Sequence, residues 1–510
     1  MAAVRQDNRT IHRLYRVTGA LLAPLLLVGS VNAVPSDRAT PGGGWSGLWL
    51  NSDPPAAGGT SLKDVRTIIG ADVGTAARLT GAGVGVAMID TGVAPVPGLP
   101  ASQLVNGPDL SFESQAPNLR YLDTYGHGTH LAGIIVGNDT ASGTTGLAPQ
   151  AKLTSLKLGT ANGAVDVTQV IAAVDWVVAH RNDDPANPIR VLNLSYGSGG
   201  TPYNWNDPLD FAVQRAWLSG IVVVAAVGND GNGSLRLANP ASDLRVIGVA
   251  ATATKGTVAT ADDELSAYSN MSTAEKIPDL VAPGQSIASL RVPGSNIDNG
   301  YPGARQGETL FRGTGTSQAA AVTSAAAALL LQAKPTLTPD QVKDVLKRGT
   351  PLTLGLGGSR RLRQINVNTA LGLTPTTTTQ TSQLASWQGT LDASRGNSRL
   401  VSNGVALSGQ KSPFGAFDGQ AWWNASLNRT SWRGGKWMGR QLAGDGWTGT
   451  SFASRTWGAA AWAGTPWDGA SSSWVDPSWA GRFWSGRFWS GDTWNGRFWS
   501  SEDWATASWE

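Results

Sequence analysis

A run of alanines and leucines near residue 320 constrains the fold of this chain more than any other stretch. After the loop Gly313-Thr-Gly-Thr-Ser317, the sequence Gln-Ala-Ala-Ala-Val-Thr-Ser-Ala-Ala-Ala-Ala-Leu-Leu-Leu331 contains almost no polar residue. A helix that is apolar on every side has to be buried. The two loop glycines admit backbone conformations that other residues resist, and Thr316 and Ser317 are typical of a helix start. The sequence therefore predicts a buried helix that begins at a serine.

This serine has two interpretations when it is taken alone. The N-terminus of a helix offers free backbone N–H groups and the positive end of the helix dipole. Such a place suits a nucleophile whose transition state carries an oxyanion. In the other interpretation, Ser317 only caps a core helix, because serine caps are common. The remainder of the chain has to decide between them.

Apolar runs alternate with helical patterns from about residue 61 to residue 373. Buried strands are predicted at 84–89, 153–158, 191–194 and 221–227, and helices at 167–180 and 208–219. Buried strands that alternate with helices predict an α/β fold, with a parallel sheet covered by helices on both faces. Ligands of such sheets bind at the carboxyl ends of the strands.

Composition divides the chain into five parts. Residues 1–33 resemble a signal peptide, with four arginines, a short apolar stretch broken by Pro24, and a small-x-small site at Val31-Asn-Ala33. The alternative is an uncleaved anchor, but the apolar stretch is short for a bilayer. Residues 34–60 are predicted to be a flexible extension, 61–372 the α/β domain, 373–384 a threonine-rich linker and 385–510 a tryptophan-rich region. The product is therefore expected to be secreted, with no membrane anchor after cleavage.

Charge and cysteine content exclude several classes of function. Without residues 1–33 the chain has 35 basic and 35 acidic residues, because that segment contains four of the 39 Lys and Arg and one of the 36 Asp and Glu. A neutral chain gives no reason to expect nucleic acid or anionic membrane as a partner. The chain has no cysteine, which excludes disulfides, thiol nucleophiles and thiolate metal sites.

The tryptophan-rich region has its own repeat. Seventeen of the 22 tryptophans lie between Trp387 and Trp509, and from Trp474 onward they recur every five residues. Five is neither the helical nor the strand period, so stacked turns or short strands are predicted, a small β- and turn-rich region. One interpretation is a module that contacts cell-wall polysaccharide through aromatic faces. The favoured alternative is that the tryptophans pack on one another and on the preceding domain.

Three glycine-flanked segments carry candidate chemistry. Asp90 ends a predicted strand in Met88-Ile-Asp-Thr-Gly92, His127 lies in Tyr125-Gly-His-Gly-Thr-His130, and Ser317 starts the buried helix. Serine needs a base to take its proton, and histidine suits that role near neutral pH. A buried carboxylate holds the imidazole in one tautomer. The three residue types therefore form a complete nucleophilic set.

These segments resemble the motifs of subtilisin-like serine proteases. The resemblance rests on Asp90-Thr-Gly92, His127-Gly-Thr-His130 and Gly315-Thr-Ser-Gln-Ala319, in that order, and on Ala225-Ala-Val-Gly-Asn229 between the last two. It implies that Asp90 orients the base, His127 is the general base and acid, and Ser317 is the nucleophile. It also implies that Asn229 and the Ser317 backbone N–H form the oxyanion hole, and that His130 is structural.

The resemblance also implies a substrate cleft. The function it implies is that of a secreted endopeptidase with protein or peptide substrates. Two segments resemble its walls, and their residues are Ser195, Tyr196 and Gly197 on one side and Ala226, Val227 and Gly228 on the other. These walls predict apolar residues before the cleaved bond. No cofactor is expected for the chemistry. Members of the family often bind structural calcium, to which the sequence assigns no ligands.

Rival functions have less support in the sequence. An aspartic protease needs a second Asp-Thr-Gly or Asp-Ser-Gly, which is absent. A zinc site formed by His127 and His130 lacks a His-Glu-x-x-His motif, and the only other histidine after residue 33 is His180. The alternative function is a catalytically silent scaffold whose tryptophan-rich tail binds cell-wall polysaccharide or a protein partner.

Overall fold

The protein is described here by a computed structural model that covers residues 59–439, with gaps at 116–118, 164, 199–204, 235, 272–275, 353–361, 397, 403–404, 414 and 434. The predicted signal peptide, most of the predicted extension and the five-residue repeats lie outside the described residues, so they stay predictions. None of the helices in the described part combines the length and apolar character needed to span a bilayer.

The described chain alternates strands and helices along most of its length. The helices are α1 (Leu62–Ile68), α2 (His127–Val136), α3 (Val167–His180), α4 (Pro208–Leu218), α5 (Asn296–Gly300), α6 (Thr316–Ala333), α7 (Pro339–Leu346), α8 (Val367–Gly372), α9 (Leu391–Arg395) and α10 (Gly419–Leu427). The strands up to residue 364 are β1 (Gly85–Asp90), β2 (Leu104–Asp109), β3 (Asn138–Asp139), β4 (Thr144–Thr145), β5 (Lys152–Lys157), β6 (Ile189–Leu194), β7 (Val222–Ala226), β8 (Ile247–Ala253), β9 (Glu264–Leu265), β10 (Leu280–Pro283), β11 (Ile287–Leu290), β12 (Arg305–Gln306), β13 (Leu310–Gly313), β14 (Thr350–Pro351) and β15 (Arg363–Gln364). Three short hairpins follow, formed by β16 (Val401–Ser402) and β17 (Val405–Ala406), β18 (Lys411–Ser412) and β19 (Gly415–Ala416), and β20 (Trp432–Arg433) and β21 (Lys436–Trp437).

One large sheet organises the fold. Its strand order is β14-β15-β10-β8-β7-β6-β1-β5-β2, with β9 added beside β8. All neighbours from β15 to β2 pair in parallel, and only β14 and β9 are antiparallel. Helices α2 and α6 pack together against the sheet, and α3 and α4 form a second packed pair that covers it. The predicted α/β class, a parallel sheet covered by helices on both faces, is confirmed.

The predicted buried elements occupy the centre of the core. Every residue of β1 and β7 is buried, as expected for parallel strands covered on both faces. In α6 the residues from Thr316 to Leu331 are all buried, which confirms the helix predicted from its uniform apolar character. The loop glycine Gly315 is extended, with φ 163° and ψ 167°, so it does not need the freedom of the left-handed region that the sequence suggested.

The segment 385–439 continues the same core. Its Leu391, Phe417, Trp422, Trp432 and Trp437 belong to the hydrophobic cluster that also contains the sheet. The part of the tryptophan-rich region that the structure describes therefore packs against the preceding domain. The prediction of a separate region after residue 384 concerns mainly residues 440–510, which lie outside the described residues, and there it stays a prediction.

Asp175 binds three side chains of this segment. Asp175 of α3 is buried and accepts hydrogen bonds from Trp422 Nε1 at 2.7 Å, Trp437 Nε1 at 2.8 Å and Ser426 Oγ at 3.0 Å. Burial raises the pKa of Asp175, and these donors oppose that rise. The Trp432 indole donates to the carbonyl of Ala172, also on α3, at 2.7 Å. Indole N–H groups need a partner when they are buried, and α3 supplies all three.

The residues between the domain and this segment are also held by hydrogen bonds. The predicted linker 373–384 contains no helix or strand, and its first residue, Leu373, is the C-cap of α8. Thr376 donates to Asp344 of α7 through its backbone N–H at 2.8 Å, and the Gln380 side chain donates to Asp340 at 2.8 Å. The composition of residues 373–384 predicted a linker. In the structure this stretch runs along α7, to which it is hydrogen-bonded.

Replacing Trp422 with alanine is expected to destabilise the protein far more than the same change at Trp423. Trp422 is fully buried, so its loss leaves a large cavity and removes a donor from Asp175. We expect a loss of about 3–5 kcal/mol for Trp422→Ala and about 1 kcal/mol for the half-buried Trp423. Urea unfolding followed by circular dichroism measures both. Equal losses would contradict the packing of this segment on α3.

Candidate active site

The predicted site residues converge on the carboxyl edge of the sheet. Strands β7, β6 and β1 are adjacent and parallel, so their carboxyl ends lie at one edge. Asp90 is the last residue of β1, Ser195 follows β6 and Asn229 follows β7 by three residues. Contacts from the starts of α2 and α6 to these residues, described below, bring His127 and Ser317 to the same edge.

Asp90 and His127 form a buried pair. The Nδ1 atom of His127 lies 3.0 Å from Oδ1 of Asp90, and both side chains are almost fully buried. The same oxygen accepts the backbone N–H of Thr91 at 2.7 Å. Because a carboxylate oxygen can only accept here, Nδ1 carries the proton, and the neutral ring therefore has Nε2 as its acceptor nitrogen. The pair fixes one tautomer of the imidazole.

A second carboxylate, Asp123, is linked to this pair through Thr91. Its Oδ1 accepts the Thr91 hydroxyl at 2.7 Å and the Gly126 N–H at 2.7 Å, and its Oδ2 accepts the N–H and hydroxyl of Thr129 at 2.8 and 2.7 Å. Burial raises the pKa of Asp123, and the bonds from Gly126 and Thr129 oppose that rise. Asp123 thus caps the start of α2, whose N-cap Gly126 has no side chain, and ties it to the end of β1.

Two glycines allow the close approach of these elements. Gly126 has φ 105°, and a Cβ there would lie 2.5 Å from Ser295 Oγ. A Cβ on Gly128 would lie 2.1 Å from the carbonyl oxygen of Gly92 and 2.9 Å from Asp90 Oδ1. A side chain at Gly128 would push α2 away from the end of β1, whereas one at Gly126 would clash with Ser295. The Asp90–His127 distance therefore requires a glycine at position 128.

The start of α6 is joined to the end of β7 through Asn229. Oδ1 of Asn229 accepts the Thr316 N–H at 2.9 Å and the Thr316 hydroxyl at 3.0 Å. With Oδ1 occupied in this way, the amide is oriented with its donor, Nδ2, on the opposite branch. Ser317 is the second residue of α6, so its backbone N–H has no acceptor within the helix. The helix start has no side-chain cap from its own N-cap residue, Gly315.

A cleft opens at this helix start. Four of the six predicted substrate residues line it, together with Asn229, Thr316 and Ser317; the four are Ser195, Gly197, Ala226 and Gly228. Three further lining residues, Ser198, Asp230 and Ala238, were not predicted. Tyr196 and Val227 are buried and are not among the lining residues, because alternate side chains of an extended chain point to opposite sides.

His130 is buried and binds two backbone carbonyls. Its Nε2 donates to the carbonyl oxygens of Phe311 at 3.1 Å and Ile287 at 3.2 Å, since both partners can only accept. Burial, with a smaller contribution from His127, lowers the pKa of His130 to about 3. The ring is therefore neutral at neutral pH and connects α2 to the strands β11 and β13.

The structure bears on the expectation of a metal only through its clusters of metal-binding side chains. In the part of the chain with described side chains, no group of three or more His, Asp or Glu residues is arranged to hold one. Two buried carboxylates are paired with lysines: Glu113 with Lys157 at 2.7 Å, and Asp279 with Lys276 at 3.0 Å. Structural calcium stays a prediction without ligands.

Hydrolases with a nucleophilic serine typically combine a buried carboxylate–imidazole pair with a serine at a helix N-terminus. Here both features lie on one edge of a parallel sheet. Residues 81–397 match the family model of the subtilase family, Peptidase S8. The chain belongs to the subtilase family.

Known proteins resemble the same part of the chain. Serine protease AprX of Bacillus subtilis (strain 168) is 37% identical over 279 residues, which cover 53% of this chain and 62% of AprX. Subtilisin Savinase of Lederbergia lenta is 32% identical over 277 residues, which cover 54% of this chain and 86% of that protein. A solved structure of a cold-adapted subtilisin-like serine proteinase matches with a TM-score of 0.45 and 27% identity, covering 57% of this chain and 90% of that one. The match with AprX thus spans less than two thirds of that relative.

Sequence reasoning missed Asp123, Ser198 and Asp230. An acidic residue a few positions before a glycine-led helix is a capping signal, so Asp123 could have been found. Asp230 directly follows the predicted Asn229, but its place at the cleft depends on the turn that follows β7. Ser198 lies just beyond the predicted wall 195–197, and no local pattern marks it.

The buried neutral His130 is expected to make the protein less stable in acid. Its pKa is about 3 in the fold and about 6.5 when unfolded, so between these values only the unfolded chain takes up the proton. Stability should therefore fall as the pH drops from 6.5 towards 3, by up to about 1.4 kcal/mol per pH unit from this residue.

The variant His130→Gln tests this expectation because its amide keeps a donor without a titrating ring. Both chains carry Ser317→Ala to exclude proteolysis, and urea unfolding is measured from pH 7 to pH 4. The parent should lose more free energy of unfolding than the variant as the pH falls. Parallel curves for the two chains would rule out His130 as the source.

Proposed function

We propose that this protein is a secreted serine endopeptidase that hydrolyses peptide bonds through an acyl-enzyme. Asp90, His127 and Ser317 form the catalytic triad in this proposal, and Asn229 with the Ser317 backbone N–H forms the oxyanion hole. The observation that carries it is the buried Asp90–His127 pair at 3.0 Å, at the sheet edge where Ser317 lines the cleft. Membership in the subtilase family supports the same reaction class.

The fixed tautomer of His127 gives the first chemical step. Since Nδ1 donates to Asp90, Nε2 is the nitrogen that takes the proton of Ser317 Oγ as that oxygen attacks the substrate carbonyl carbon. The imidazolium that forms is stabilised by the Asp90 carboxylate. It then returns the proton to the leaving amine, and the carbonyl carbon stays bonded to Ser317 Oγ. Water, deprotonated by the same imidazole, releases the acid product and restores the serine.

The negative charge of each tetrahedral intermediate falls on the former carbonyl oxygen. Asn229 Nδ2 and the Ser317 N–H are proposed to donate to it, because Asn229 Oδ1 is already engaged by Thr316. Donors fixed before the reaction stabilise developing charge without reorganising. The link from Asn229 to Thr316 also sets the distance between these two donors.

The substrate is proposed to be an extended protein or peptide segment lying along the walls at 195–197 and 226–228. The side chains that line the cleft are small, and glycine contributes at Gly197 and Gly228. Strand-like pairing with a wall would hold the peptide backbone and leave its side chains for the cleft. Secretion is proposed from the signal-like residues 1–33, and contact of the tryptophan-rich tail with cell wall is a further expectation.

Ser317→Ala should abolish casein hydrolysis, and Asn229→Ala should lower kcat by about 10²–10³-fold with a smaller effect on KM. The first change removes the nucleophile and the second removes one oxyanion donor. The measurement is initial rates with residues 34–510, with a serine-directed covalent inhibitor as a control. An active Ser317→Ala variant would refute the proposed nucleophile. A folded but inactive parent would favour the silent scaffold with a binding tail.

The exposed Asp230 should favour a cationic residue before the cleaved bond, beside the apolar residues that the walls predict. Asp230 is one of the residues that line the cleft, and its carboxylate accepts a hydrogen bond from Asn270 Nδ2 at 3.0 Å. Asp230→Asn is expected to lower kcat/KM about twofold to fivefold for peptides with Lys at that position, since exposed pairs are weak. Matched peptides with Leu should be unaffected, and 1 M salt should remove the difference. An equal effect on both peptides would exclude a charge contribution.

A further inference from the structure

A short helix beyond the sheet contacts the base of the substrate cleft. Helix α9 lies in the segment 385–439, well after the last strand of the large sheet. Its Ser394 is fully buried and has two polar groups that bind residues next to the cleft. The Ser394 carbonyl accepts the hydroxyl of Ser198, which lines the cleft. The Ser394 hydroxyl donates to Asp207 Oδ1 at 2.6 Å.

These contacts close a ring of hydrogen bonds. Asp207 Oδ2 accepts Asn239 Nδ2 at 2.8 Å. The backbone of Asn239 pairs with Ser198 in both directions, with N···O distances of 2.8 and 3.0 Å. The ring therefore runs from Ser394 to Ser198, to Asn239, to Asp207 and back to Ser394. All four residues are at least 98% buried, so none of these bonds competes with solvent.

The ring fixes both sides of the cleft base. Ser198 continues the wall formed by Ser195 and Gly197, and Ala238, the residue before Asn239, lines the cleft opposite. Ala238 is itself held by its N–H, which donates to the Val227 carbonyl at 2.8 Å. A shift of Ser394 would therefore move the two walls relative to each other.

Ser394 is held in place by its neighbour Arg395. The Arg395 side chain is fully buried and binds Asp166, the N-cap of α3, at 2.7 Å through Nε and at 3.3 Å through Nη2. Its remaining donors reach Asp392 Oδ1 at 3.1 Å and the carbonyls of Gly409, at 3.0 Å, and Lys411. A buried guanidinium with all its donors used in this way has little freedom to shift.

We propose that Ser394, fixed by Arg395, is a positioning residue for the substrate cleft, acting through Ser198 and Asn239. Helix α9 thereby sets the separation of the cleft walls, although it contributes no lining residue. The inference rests on the proposed peptidase function. It assigns to the segment 385–439 a role in peptide binding besides its contribution to the core.

The chain contains a matched control in Ser426. Ser426 lies in the same segment, is 4% exposed, and donates its hydroxyl to the buried Asp175 at 3.0 Å. Ser394 likewise donates to a buried aspartate from a buried position. Replacing either serine with alanine removes one hydroxyl–carboxylate bond between this segment and a helix of the domain. Only Ser394 belongs to the ring at the cleft.

The experiment compares kcat and KM of the parent, Ser394→Ala and Ser426→Ala on a casein-derived peptide that the parent cleaves. Ser394→Ala should raise KM about threefold to tenfold, as expected for one lost hydrogen bond, and leave kcat within about twofold. Ser426→Ala should leave both constants unchanged. The urea concentration at the unfolding midpoint should fall by a similar amount in the two variants. A small serine-directed inhibitor should label all three chains at the same rate.

A second variant guards against a misfolded Ser394→Ala chain. Arg395→Lys keeps the charge but loses the forked contact with Asp166, and it should raise KM in the same direction. An unchanged KM in both variants, or an equal rise in Ser426→Ala, would overturn the positioning role. A parent that cleaves no peptide and is not labelled would instead refute the proposed function, so the two failures are distinguishable.

Discussion

The burial of α6 is the constraint on which the site depends. Its residues from Thr316 to Leu331 are buried, so its first backbone N–H groups need partners within the protein. Asn229 satisfies the first of them and in doing so joins α6 to the end of β7. The N–H of Ser317 is the next one along the chain, and it has no acceptor within the helix. A core-packing requirement thus creates a helix N-terminus suited to an oxyanion.

The buried charged groups Asp123, Lys157 and Glu113 next to the Asp90–His127 pair all have hydrogen-bond or ion-pair partners. Asp123 takes four hydrogen bonds, and Lys157 pairs with Glu113 and also donates to the carbonyls of Thr91 and Leu122, at 3.1 and 2.5 Å. A buried charge without such partners would cost several kcal/mol. Because Thr91 binds Asp90, Asp123 and Lys157 through different atoms, movement of the Asp90–His127 pair would break several bonds at once. Rigidity of this kind is what a preorganised site requires.

Local sequence patterns predicted the elements and the chemical groups, but not the long-range polar partners. The apolar runs predicted β1, β7 and α6 to within one or two residues, since a buried strand or helix has to be apolar along its own length. Glycine-flanked motifs predicted the Asp90–His127 contact through the family resemblance. Nothing local marks Ser394 as the partner of Ser198, because residues so far apart in sequence meet only when both segments are folded. The same holds for the three indoles that bind α3, which the repeat pattern could not assign.

The segment 385–439 packs on the core and also contacts residues that line the cleft. Its indoles contribute large apolar area, but each also brings an N–H that has to be satisfied, and Asp175 accepts two of them. Loss of one indole therefore also weakens the environment of the other, which makes the docking of the segment cooperative. Arg395 and Ser394 belong to the same segment. Arg395 binds Asp166, just before α3, and Ser394 binds Asp207, just before α4. The core contacts that keep the segment docked thus also keep the ring of Ser394, Ser198, Asn239 and Asp207 closed at the base of the cleft.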